Sequence, residues 1–111
     1  MENNLINMIK EWIEIKKGFN IRIYDVKERV SYTDTVIVCE GDNNLHIRAI
    51  ADNIIKEAKK NSINIFSKEG IDNAKWILLD LSDVIIHIFD TNTRKYYKLD
   101  ELLALNQEKG E

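Results

Sequence analysis

Residues 76–89 read Trp76-Ile-Leu-Leu-Asp80-Leu-Ser-Asp83-Val-Ile-Ile-His87-Ile-Phe89. The apolar run is interrupted once, at Ser82-Asp83, which is the pattern of two strands joined by a two-residue turn. That turn length sets Leu81 against Val84, Asp80 against Ile85, Leu79 against Ile86 and Leu78 against His87. Successive side chains of a strand point to opposite faces. One face then carries Ile77, Leu79, Leu81, Val84, Ile86 and Ile88, wholly aliphatic, and reads as core. The other carries Trp76, Leu78, Asp80, Ile85, His87 and Phe89. Aromatics mixed with an acid and an imidazole are unusual in a plain core. They suit a half-buried surface built to meet something.

Outward from the hairpin, the chain alternates helices and strands. Leu5, Ile9, Trp12, Ile13 and Lys16 recur every three or four residues, which predicts an amphipathic helix over 4–17 stopped by Gly18. Residues 21–26 form a first strand, and the continuous apolar run 35–39 a second, central one. A helix over about 43–60 buries Ile47, Ile50, Ala51, Ile54, Ile55 and Ala58 on one face. A weaker strand is read at 63–66, followed by the hairpin. A last helix runs from Thr93 to about Leu105, broken near Lys98, with Tyr96, Tyr97, Leu99, Leu102 and Leu103 as its apolar set. The order α-β-β-α-β-β-β-α, with a parallel crossover across 35–66, predicts one α/β domain: a mixed five-stranded sheet with flanking helices. The domain spans 1–105, and 106–111 form a flexible polar tail.

Composition narrows the function. At 44% hydrophobic and 32% charged, with 111 residues, the chain reads as one soluble globular domain. No apolar run reaches the roughly 20 residues of a membrane span, and no secretory pattern opens the chain. The net charge of −3 lacks the basic field of a nucleic-acid binder, so no direct sequence-specific nucleic-acid contact is expected. The single Cys39 excludes an intramolecular disulfide and fits a reducing, cytoplasmic setting as a small core residue.

The chemistry-bearing residues are few. Gly41-Asp42-Asn43-Asn44 opens a helix, but it lacks a glycine-rich pattern and a P-loop lysine, so helix capping by Asp42 or Asn43 is the expectation. Asp80, Asp83 and His87 are the only cluster that could hold a metal or act as an acid–base pair, with Asp80 diagonal to His87. Asp83 also suits a turn, and Asp80 and His87 could satisfy one another. No catalytic residue, metal ligand or cofactor is assigned. His46 is read as a rim residue, and Arg94 and Tyr97 either as partner contacts or as packing and ion-pair groups.

The residues quoted, in order, resemble the ribosomal silencing factor (Iojap-related) family. The match runs through Trp76 to Phe89, then Arg94-Lys-Tyr-Tyr97-Lys-Leu99, with Asp34 to Gly41 and Arg48 to Asp52 upstream, and covers about Leu5 to Leu103. The resemblance implies a nucleotidyltransferase-like fold without transferase activity. It implies a translational repressor that binds the large ribosomal subunit through large-subunit ribosomal protein fourteen and blocks joining of the small subunit. Carried over, the partner surface would use Trp76, Leu78, Asp80, Leu81 and His87, with Arg48 and Tyr97. This chain departs from the family at Asn43, His46, Leu81-Ser82 and Leu103. Two rival readings stand beside it: a metal-dependent nucleotidyl or phosphoryl transfer enzyme using Asp80, Asp83 and His87, and a homodimer that uses the same patch on itself.

Overall fold

In the computed structural model, which describes residues 2–109 and the side chains of 4–104, nine elements follow one another. They are α1 (Glu2–Ile15), β1 (Phe19–Asp25), β2 (Thr35–Glu40), α2 (Asn44–Lys60), β3 (Ser67–Glu69), β4 (Trp76–Asp80), β5 (Val84–Phe89), α3 (Thr91–Tyr97) and α4 (Leu99–Lys109). The sheet has the order β1-β2-β5-β4-β3. β2 and β5 run parallel at its centre, and every other neighbouring pair is antiparallel. Every residue of both central strands is buried.

The hairpin adopts the expected register, with Leu78 opposite His87, Leu79 opposite Ile86 and Asp80 opposite Ile85. Its turn closes through Leu81 N–H to the Val84 carbonyl at 2.9 Å, with Ser82 at φ +77°. Asp80 Oδ1 accepts from Ser82 N–H at 2.8 Å, so the acid stabilises the turn itself. The aliphatic face packs as read: Ile77, Leu79, Leu81, Val84, Ile86 and Ile88 join the core beneath α1 and α2. Cys39 lies fully buried there, and burial pushes its thiol up to about 12.

The helices of that layer are tied by side chains of α2. A helix end leaves its last carbonyls without partners. Here buried Asn53 donates Nδ2–H to the Trp12 carbonyl at 2.9 Å, and His46 Nε2 bonds the Lys16 carbonyl at 2.7 Å. His46 Nδ1 accepts from Asp42 N–H at 2.8 Å, and Asn43 is the cap, accepting from His46 N–H at 2.9 Å. His46 is therefore a splint between two helix ends rather than a rim residue. α1 stops at Ile15, two residues early, because Lys17 and not Gly18 takes the left-handed turn, at φ +64°. Gly18 matters for space: a Cβ there would sit 2.5 Å from Ile13 Cγ2.

Three expectations are corrected. The strand read at 63–66 is a loop whose Ile63 and Ile65 plug the core, and the true edge strand is the polar Ser67–Glu69. Pairing decides this: ladder contact with β4 begins only where Phe66 N–H meets the Asp80 carbonyl at 2.7 Å. A short charged strand is also a safe sheet edge. The crossover from β2 through α2 does reach a strand parallel to β2, but β3 lies beyond β5 and β4. The last helical stretch breaks at Lys98, at φ +55°, as read, but starts at Thr91 on the Asp90 cap. Its helix also runs on to Lys109 rather than ending near Leu105, since 105–109 contain no stop signal. Gly110 and Glu111 lie outside the described residues.

Asn53→Ala removes a buried hydrogen bond and strands a helix-end carbonyl. It should cost about 1–3 kcal/mol in chemical denaturation. Asp52→Ala, at an exposed neighbour, should stay within about 0.5 kcal/mol of the parent.

Candidate partner-binding site

The second face of the sheet is covered unevenly. Over β1 and β2, Tyr24, Val26, Val36, Val38, Phe89 and Leu103 form a small core, with Leu99, Ala104 and Trp76 packed against it. One guanidinium holds the two last helices over this half. Arg94 binds Asp100 through two bonds, Nε to Oδ1 at 2.8 Å and Nη2 to Oδ2 at 2.9 Å. Its Nη1 reaches Glu40 Oε2 at 3.0 Å and the Asn20 carbonyl at 2.7 Å. Tyr24 Oη donates to Asp100 Oδ2 at 2.7 Å, and Thr91 Oγ1 to Glu40 Oε1 at 2.6 Å. The Arg94 hydrogen bonds hold the Asp100 carboxyl below its ordinary range. Burial, then the bond to Asp100, pushes the Tyr24 hydroxyl up to about 12. Both Arg94 and Glu40 are nearly sealed from water, so removing Arg94 would leave the Glu40 carboxylate buried without its counter-charge, a loss of about 3–5 kcal/mol.

Toward β4 and β3 the face changes character. Leu78 belongs to neither core cluster and is half-buried. Register places His87 on one side of it and Glu69 on the other, while Trp76 and Asp80 precede and follow it on the same face. Glu69 is exposed, and Asp80 is half-buried. Trp76 anchors an aromatic cluster, with ring centres 4.8 Å from Phe89, 4.8 Å from Tyr97 and 5.9 Å from His87. Its indole N–H donates to His87 Nδ1 at 2.9 Å. Burial drives the His87 imidazole down to about 4, against a weaker opposing pull from Asp100. Tyr97 remains 53% exposed and meets Tyr96 edge-on at 5.0 Å.

Of the residues singled out from sequence, Trp76, Leu78, Asp80, His87 and Tyr97 are thus brought to one surface. Leu81 is not: strand parity turns it into the aliphatic core at 5% exposure. Arg48 lies on α2, in the opposite layer. It donates to the Ile71 carbonyl at 3.2 Å and the Asp72 carbonyl at 2.7 Å, holding the loop that delivers Trp76. Gly70 starts that loop at φ +81°, where a Cβ would lie 2.1 Å from the Trp76 carbonyl. Asp80 and His87 do not bond each other, since Asp80 Oδ1 accepts from Ser82 N–H and His87 Nδ1 from the Trp76 indole, and Asp83 is exposed in the turn. Among the described residues no three His, Cys, Asp or Glu side chains are grouped to hold a metal. The presumed Leu102 and Tyr96 core contacts are also overturned: both are largely exposed, at 61% and 78%. Glu69 was missed; the ion-pair alternative for Arg94 holds, but its partners Asp100 and Glu40 were not identified. No spacing rule pairs residues across the left-handed kink at Lys98, and Glu69 joins the face only through an edge strand placed by its partner.

His87 gives a pH signature. Unfolded, its imidazole takes a proton near pH 6.5; folded, only near 4. The unfolded state therefore binds more protons between those values. Stability from this group is complete above about pH 6.5 and falls, by roughly 3 kcal/mol in all, as pH drops to about 4. From pH 7.0 through 5.5 to 4.5 the urea midpoint of the parent should fall relative to that of His87→Leu; parallel profiles would refute the assignment.

Comparison with known proteins bears on the whole chain. The family described as "Ribosomal silencing factor during starvation" matches residues 2–110. The ribosomal silencing factor of Haemophilus influenzae is 37% identical over 100 residues, covering 90% of this chain and 98% of that protein. A crystal structure of a Chromobacterium violaceum protein superposes with a TM-score of 0.89 at 27% identity, covering 92% of this chain and 85% of that one. A mouse protein named for mitochondrial assembly of the ribosomal large subunit is 25% identical over 103 residues, which are 90% of this chain but 45% of the mouse protein. With the family model matching residues 2–110, this chain belongs to the ribosomal silencing factor family.

Proposed function

We propose that this protein is a non-enzymatic, cytoplasmic translational repressor that binds the large ribosomal subunit and keeps the small subunit from joining. Its partner there is large-subunit ribosomal protein fourteen, and its docking surface is the patch of Trp76, Leu78, Asp80, His87 and Tyr97. The observation that carries this reading is Leu78, a half-buried leucine outside both cores, framed by an aromatic cluster and two carboxylates. Apolar and aromatic centres with polar rims are the usual anatomy of protein interfaces. Blocking a subunit requires affinity and bulk but no bond chemistry. The names of the relatives, a silencing factor and a large-subunit assembly protein, support the large subunit as the target. No helix among the described residues is long and apolar enough to cross a membrane.

Trp76 is a poor probe, since its ring also packs against Phe89 and Tyr97. Leu78→Glu puts a charge at the patch centre without opening a core. Parent protein should pellet with purified large subunits and not with small ones. Leu78→Glu should lose at least about ten-fold in affinity, the scale of one buried contact of ~1.4 kcal/mol, while circular dichroism shows it still folded. Lys56→Glu, on the exposed side of α2, should bind as the parent does. Equal pelleting of parent and Leu78→Glu would reject this surface.

A further inference from the structure

The Trp76–His87 bond does more than pack two rings. An indole N–H is only ever a donor, so the His87 Nδ1 it meets at 2.9 Å carries a lone pair. A neutral imidazole with Nδ1 engaged this way holds its single hydrogen on Nε2. That Nε2 has no hydrogen-bond partner among the described residues. Nor is it sealed: the one buried side-chain nitrogen or oxygen lacking a partner among them is Arg29 Nη2. His87, 9% exposed as a whole, therefore keeps one unspent N–H that is not fully sealed, next to Leu78 on the face described above.

We propose, on the reading that this face is the docking surface, that His87 Nε2–H is a specificity contact and that the partner answers it with a neutral main-chain carbonyl seated beside Leu78. Docking strips the water from this donor, and an unmatched buried donor is costly, so the partner must bring an acceptor. Asp80 and Glu69 flank Leu78 and disfavour an anionic acceptor such as a carboxylate or phosphate. Trp76 acts as a positioning residue: by occupying Nδ1 it prevents the ring from taking the other tautomer, which would present a lone pair and repel the carbonyl. The depressed protonation of His87 agrees, since the contact stays a neutral N–H throughout the physiological range.

The test joins a spectroscopic readout to a binding series. Long-range proton–nitrogen correlation on histidine-labelled protein at pH 7, assigned with His87→Gln, should show His87 as the Nε2–H tautomer. Trp76→Phe, which keeps a ring but removes the donor, should populate both tautomers. In titrations with large subunits, His87→Leu should bind about ten-fold more weakly, as expected when one interface carbonyl is left without its donor. His87→Gln, which restores an N–H at similar reach, should return to within about three-fold of the parent, as a hydrogen bond of comparable worth would. If His87→Leu does not fold, His87→Met supplies the same deletion. An Nδ1–H tautomer in the parent, or full binding by the deletion variant while Leu78→Glu fails, would overturn the donor role and leave the docking surface standing. Full binding by Leu78→Glu as well would overturn both.

Discussion

The Arg94 guanidinium is the constraint on which the asymmetry of this molecule depends. It joins α3 to Glu40 at the end of β2, to Asp100 at the start of α4 and to the Asn20 carbonyl in β1. Its planar fork meets Asp100 through two parallel bonds, a geometry lysine cannot reproduce. With that clamp closed, α4 covers the β1 side of the second sheet face and α3 ends with the Tyr97 ring tilted against Trp76. The other side keeps Leu78 half-exposed. One ion network therefore decides both where the second core forms and where it stops.

The patch left over is ordered by backbone geometry rather than by loops. Leu78, His87 and Glu69 are neighbours because three strands fix them in register, and Trp76 and Asp80 because they stand two residues away along one strand. The supports are local. The Asp80 carboxylate pins the turn, Gly70 admits the Trp76 carbonyl, and Arg48 ties down the approach loop. A rigid sheet presents such a surface with little ordering cost on binding.

Sequence made most of this legible where one local rule governed. The two-residue turn set the register, parity sorted the hairpin into an aliphatic and a mixed face, and helical period marked the buried side of α2. Each depends only on neighbours in the chain. What stayed hidden was decided by distant partners. Ile63 and Ile65 alternate like a strand but pack as a loop, because β4 offers its edge only from Phe66 onward. Arg48 suited a partner contact by type, and only the loop carbonyls above it show where its donors go. Leu81 was the one patch residue that violated parity, and parity prevailed. The donor left on His87 needed the Trp76 bond to be seen at all.

The central claim is that the β4 face, and not the layer of α1 and α2, meets the large subunit. Photo-crosslinking tests it directly. A benzophenone side chain is placed at position 78 in one variant and at position 56, on the opposite layer, in another. Each is irradiated with purified large subunits. The account predicts an adduct with one ribosomal protein from position 78 and none from position 56. Adducts from position 56 alone would contradict it.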